Sequence, residues 1–249
     1  MSDLFTVAHI AQLHEIQKAR LRRNQPGLGS EVEELIRRLT DGGVAGQKAA
    51  RKKGARKSGQ SDDLRVIQAK RFWDKGFGRE LGYEKLENYL ATIPEVPEHL
   101  KADDPDKPML VLTEPRLQSI VKTCRLIGVV FNADDQTLEP YDERHATSQA
   151  PKWVRMHDGR RNHKRKPSTC RDELKNGEFS GTDLAGICCY LHFPDCARED
   201  EHVMDLPGSV LAEYRDGCAS LEVWDGRAGL CWRHDDVAIS FCGAASCRE

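Results

Sequence analysis

Apolar positions recur at helical spacing in the first half of the chain and at alternating spacing near its end. Val7, Ile10, Leu13 and Ile16 share one side of a segment that Ser2 or Asp3 can cap and that runs to about Arg23, where NQPGLG breaks it. Ser30 with Glu33 three residues later forms a capping box, and Val32, Leu35, Ile36 and Leu39 follow at i, i+3, i+4, i+7 until Gly42 and Gly43 end the helix. A third helix is predicted from near Ser61 through Leu64, Ile67, Phe72 and Trp73. A fourth is predicted over about 83–93, with Leu86, Leu90 and Ile93 on one stripe and Pro94 and Pro97 stopping it. Met109 to Leu112 reads as a strand, Thr113 as the cap of a helix carrying Leu117, Ile120, Val121 and Cys124, and Ile127 to Phe131 as the next strand.

Residues 132–149 read as polar loop and 152–171 as a basic stretch anchored by Trp153. Ser180 or Thr182 opens a further helix to Phe193, which Pro194 stops, with Leu184, Ile187, Cys188 and Leu191 on one face. Beyond Pro207, Ser209 to Tyr214, Ala219 to Trp224 and Ala228 to Trp232 predict an antiparallel meander, its last turn signalled by Asp225-Gly226. FCGAASCRE reads as a small-residue tail. The fold class expected is α+β: a helical hairpin over 1–41, a flexible basic linker over 42–60, and an α+β domain over 61–249 that ends in a small antiparallel β-sheet with an acidic, cysteine-rich C-terminal region.

Charge divides the chain. From Glu178 to Glu249 there are 14 acidic residues and five arginines, so this region carries −9 of a total of −2 and the preceding residues carry +7. Two acid-free runs hold most of that excess. Lys48, Arg51, Lys52, Lys53, Arg56 and Lys57 lie in the linker, and Arg160, Arg161, Lys164, Arg165 and Lys166 follow Trp153. Cations without a base-reading motif suit non-specific contact with nucleic-acid phosphates, with Trp153 as a stacking platform; docking on the chain's own acidic region is the competing reading. No apolar run approaches the roughly 20 residues of a membrane span, and no basic-then-apolar leader opens the sequence. A cytoplasmic, membrane-free protein is expected.

Nine cysteines without a leader point to a reducing compartment, and their odd number precludes complete internal pairing. Within CCYLHFPDC, Cys188 or Cys189, His192 and Cys196, joined by His202, form a candidate zinc set, because i, i+3 and i, i+4 spacings on a helix converge on one point. The set lacks paired CxxC spacing, and buried core cysteines account for the same pattern. Cys242 and Cys247, with Cys231 and His234, are a weaker disulfide or metal candidate. HDGRRNH carries the histidines and asparagine of a nuclease-like loop but no carboxylate set to hold a metal. The chain contains no GxGxxG, phosphate loop or nucleophile elbow, so no catalytic residue is assigned.

Taken in order, WVRMHDGRRNHKRKPSTCR, LAGICCYLHFP, HVMDLPGSV, CASLEVWDGRAGLCWRHDD and FCGAASCRE resemble a family of uncharacterised hypothetical proteins from uncultivated bacteria, over roughly the second half of the chain from about Lys107. The resemblance implies a bacterial, cytosolic origin and assigns no chemistry. The leading expectation is a non-enzymatic protein that touches nucleic acid through its basic runs; a zinc-binding protein centred on Cys188–His202, or an interaction module with neither ligand, are the alternatives. Limited trypsin digestion is expected to cut first within 42–60, leaving a stable fragment that starts near Ser61, since that stretch offers no large apolar residue except Val44; survival of the stretch while other sites are cut would show it held against another surface.

Overall fold

The computed structural model describes residues 63–132, 137–146 and 148–249. The predicted hairpin 1–41, the linker 42–60 and the cations Lys48, Arg51, Lys52, Lys53, Arg56 and Lys57 lie outside the described residues. Helices α1 (Leu64–Asp74), α2 (Phe77–Glu80), α3 (Leu86–Leu90) and α4 (Glu98–Lys101) precede β1 (Met109–Thr113). Then follow α5 (Ile120–Ile127), β2 (Val130–Phe131), β3 (Leu138–Pro140), β4 (Lys152–His157), α6 (Pro167–Asp172), β5 (Glu178–Ser180) and α7 (Asp183–His192). Strands β6 (Val203–Leu211), β7 (Gly217–Trp224), β8 (Arg227–His234), β9 (Cys242–Ala244) and β10 (Ser246–Arg248) complete the chain. Among the described residues no helix is long and apolar enough to cross a membrane.

Two sheets share one core. The first is antiparallel, in the order β1-β4-β10-β5; the second runs β2-β8-β7-β6-β3, with β9 beside β6. A meander is present as β6-β7-β8, closed at Asp225-Gly226 with φ of 50° and 68°, but its first strand is Val203–Leu211 and not the predicted Ser209–Tyr214, since the strand runs through Pro207 at an irregularity in its pairing. Helix α7 begins where Thr182 caps the Ala185 N–H at 3.2 Å, and it buries Ile187, Cys188 and Cys189. It lies so close to β6 that a Cβ on Gly186 would stand 2.6 Å from Leu206.

Several predicted elements change. Residues 152–157, expected within a basic stretch, are an inner strand, because its polar side chains are answered by partners distant in the chain. Arg155, 6% exposed, donates to the carbonyls of Leu100, Pro108 and Ala102, so its charge is buried among acceptors. Trp153 is 3% exposed and its indole N–H donates to Pro94 O at 2.9 Å, which removes it as a stacking platform. The predicted tail 241–249 holds β9 and β10; its small residues are what such close quarters admit. The helix predicted after Thr113 starts instead beyond Ser119, which caps Lys122 N at 3.2 Å, and leaves Val121 53% exposed. The helix expected over 83–93 shrinks to α3, as the Arg65 guanidinium takes the carbonyls of Leu90 and Ile93.

Strand β1 is an edge, and an edge exposes unpaired backbone groups. Gln68 of α1 substitutes for a neighbouring strand: its amide donates to Leu110 O at 2.8 Å and accepts from Leu112 N at 2.7 Å. Replacing Gln68 by leucine keeps the volume and orphans both groups, so a loss of roughly 2–4 kcal/mol is expected. Urea unfolding should show a lower midpoint with an unchanged slope; an unchanged midpoint would show that the edge is satisfied otherwise.

Candidate nucleic-acid interface

Loop 158–166 leaves β4 with Gly159 at φ 94° and is fixed by backbone-level contacts. A Cβ on Gly159 would stand 2.1 Å from the Gly243 carbonyl oxygen, and one on Gly243 would stand 2.1 Å from that of Gly159, so the loop presses directly on β9. Asn162 donates to Ala244 O at 2.7 Å, and the Lys164 N–H donates to Ile239 O at 3.1 Å. His163 and His202 are 2.8 Å apart through Nε2 and Nδ1, while His202 Nε2–H donates to Asp158 O at 2.9 Å. With Nε2–H committed to that carbonyl, His202 accepts at Nδ1 from His163 Nε2–H. Burial, together with Arg160 and His163 nearby, holds His202 below its usual range.

The loop's cations divide into two sets. Arg160 pairs with Asp158 and donates to Asp195 O at 2.5 Å; Arg161 meets Asp106 at 3.1 Å; Arg165 pairs with Glu173. These carboxylates precede Glu178, so this run does not dock through ion pairs on the acidic C-terminal region. Lys164 and Lys166 are exposed and have no ion-pair partner among the described residues.

Beneath the loop is a cleft of about 340 Å³ whose mouth carries Arg161, Arg165 and Lys175. Its floor is a row across sheet one: Ser246 of β10 stands opposite both His157 of β4 and Ser180 of β5, so the three side chains share a face. The Gly159 N–H donates to His157 Nδ1 at 2.9 Å, which leaves Nε2 protonated and donating to Ser246 Oγ at 2.9 Å. This is the reverse of a nucleophile–base pair, where the imidazole must accept the serine proton. Burial, then Arg161 and Lys107, push His157 down to about 4, so it stays neutral. Glu173 and Glu178 also line the cleft. Buried Lys107 binds Glu178 at 2.5 Å and holds it below the usual carboxylate range against its partial desolvation.

The candidate zinc residues are dispersed. Cys188 is fully buried, and burial raises its thiol. Cys189 hydrogen-bonds the Cys196 thiol, which with burial raises it well above its usual value, and its Sγ lies 3.6 Å from Met109 Sδ. His192 faces Leu112 O at 3.2 Å and is pushed down to about 3 by burial. His202 faces the loop instead. Only Cys189 and Cys196 of the five come together in hydrogen-bond contact, and among the described residues no group of three or more His, Cys, Asp or Glu could hold a metal. Cys242 and Cys247 are free thiols on strands of different sheets.

Sequence reasoning singles out Arg161 and Arg165 but misses Ser180, Ser246 and Lys175. No spacing signal joins them, since strand register alone sets the row. No family model, curated protein or solved structure matches the chain.

The His157 geometry fixes a pH dependence. An unfolded imidazole protonates near 6.5 and the folded one only near 4, so between those values the unfolded state binds more protons and stability is lost as pH falls. His157 should contribute a decline of about 3 kcal/mol across that window. Chemical denaturation from pH 7 to 4 should show a shallower decline in His157→Gln than in wild type, with His192 supplying part of what remains. Equal declines would contradict the neutral assignment.

Proposed function

We propose that this protein is a non-enzymatic binding protein that contacts the phosphates of nucleic acid through loop 160–166 and, in the sequence before the described residues, through the run Lys48–Lys57. The observation that supports it is the unpaired state of Lys164 and Lys166 on either side of Arg165, on a loop whose position is set by Gly159, Asn162 and the His163–His202 pair. Cations held in fixed places at a surface release counterions when they meet phosphates, and no carboxylate of the described residues competes for these two. The remaining three arginines are held in ion pairs. Those of Arg161 and Arg165 are solvent-exposed and therefore cheap to exchange for a phosphate.

The contact we propose is sequence-independent, because the described cations are placed to meet phosphates and the expected stacking platform is not available to bases. Trp153 is buried, and the cleft lining contains no Phe, Tyr or Trp. The neutral, donor-oriented His157 has no proton-accepting nitrogen turned toward Ser246, which favours binding over hydrolysis.

Affinity for a single-stranded oligonucleotide of mixed sequence, measured against salt concentration, is expected to fall steeply. Removing one cation that neutralises a phosphate should flatten the logarithmic slope by about 0.7. Lys164→Gln with Lys166→Gln should thus reduce it by about 1.4, and replacing the six cations from Lys48 to Lys57 should reduce it further. No retention of the wild type on a nucleic-acid column at low salt would refute the proposal.

A further inference from the structure

The cleft under the basic loop is closed at its floor, and the floor limits what can fill it. Ser180, Ser246 and His157 are 1%, 4% and 5% exposed, so they meet only a group that enters through the mouth. Ser180 Oγ is buried without a hydrogen-bond partner among the described residues. Native structures seldom leave a buried hydroxyl unpaired, because water compensates it in the unfolded chain. Ser246 Oγ already accepts from His157 Nε2–H, so its own hydrogen is free to be donated. The floor thus presents two hydroxyl hydrogens, and the mouth presents Arg161, Arg165 and Lys175.

Donors below and cations around call for an anion with several terminal oxygens. The carboxylates of the lining are occupied: Glu178 by Lys107 and by the Lys175 N–H at 3.2 Å, Glu173 by Arg165. An internal phosphodiester has two non-bridging oxygens and chain on both sides, which keeps it at the mouth. A phosphate monoester ends its chain, and its three terminal oxygens can reach the serines while the attached residue stays above. The volume, about 340 Å³, is at the small end of the range of roughly 300–1,000 Å³ typical of small-ligand sites.

We infer that this cleft is a receptor for a terminal phosphate monoester, that of the strand whose internal phosphates the basic loop holds. The inference rests on the nucleic-acid reading for the identity of that strand, while the cleft's chemistry stands by itself. Ser180 and Ser246 donate to the terminal oxygens, Arg165 keeps Glu173 and meets the phosphate with its remaining N–H groups, and Arg161 exchanges Asp106.

The test uses the full chain and one single-stranded oligonucleotide in three forms: 5′-phosphorylated, 3′-phosphorylated, and hydroxyl at both ends. A nucleoside monophosphate serves as a fourth probe. One phosphorylated form should bind about tenfold more tightly than the hydroxyl form, as charge-assisted hydrogen bonds would give. Which form is preferred identifies the end recognised. Ser180→Ala should abolish the preference and leave both the hydroxyl-form affinity and the melting temperature undiminished, because that hydroxyl has no partner to lose. Equal affinity for all three forms, or a preference that survives Ser180→Ala, overturns the inference and leaves the nucleic-acid reading standing. Binding of the nucleoside monophosphate that Ser180→Ala removes, with no oligonucleotide bound, sustains the cleft and overturns that reading.

Discussion

Segment 242–248 belongs to both sheets, and the rest of the domain is arranged around that constraint. Its first strand, β9, runs parallel to β6; its second, β10, lies between β4 and β5, which do not pair with each other. Ala245 is the pivot: its N–H donates to Asp205 O and its carbonyl accepts from Gly181 N, both at 2.9 Å. Every backbone group of a buried segment needs a partner, and here the partners are split between two sheets. Strand β6 accommodates the split with an irregularity between Leu206 and Val210, where Pro207 has no N–H to donate and Gly208 donates to Gly181 O.

The same segment builds the cleft. Placing β10 between β4 and β5 aligns Ser246 with His157 and Ser180, and placing Gly243 against Gly159 brings the basic loop over that row. Tautomers then follow from neighbours. Gly159 N–H dictates that His157 donates from Nε2, and Asp158 O dictates that His202 accepts at Nδ1. Neutral imidazoles beside several arginines and lysines are the low-energy state, since a further buried positive charge would face both desolvation and repulsion. The charged arginines and lysine stay at the mouth, in exposed pairs with Asp106 and Glu173 that water screens and a ligand can reach.

Cysteines in this chain serve packing. Cys188, Cys189, Cys196 and Cys247 are within 2% of full burial and lie in the common core with Ile187 and Leu206. Thiols are small and weakly polar, and they fill the space beside Ile187 where α7 packs on the two sheets. Their spacing on α7 resembles a ligand set only if one helical face is taken to converge on a single point. In the structure that face meets Met109, Leu112 and Glu114 instead.

Local chemistry sufficed for some elements. The Thr182 cap and Pro194 stop bounded α7, Asp225-Gly226 bounded the β7–β8 hairpin, and alternating apolar residues marked the meander, because caps, proline and turn conformations act within a few residues. Local chemistry also located the cations of loop 160–166 and their lack of acids within the run. Only tertiary structure decided that 152–157 and 242–248 are strands, since their buried arginine, histidine and serine groups read as solvated until partners far along the chain satisfy them. Only strand register placed Ser180, Ser246 and His157 in one row. Their separation of up to 89 residues leaves no periodic trace, and the hydrogen bonds that align them exist only once β10 has been inserted between its neighbours.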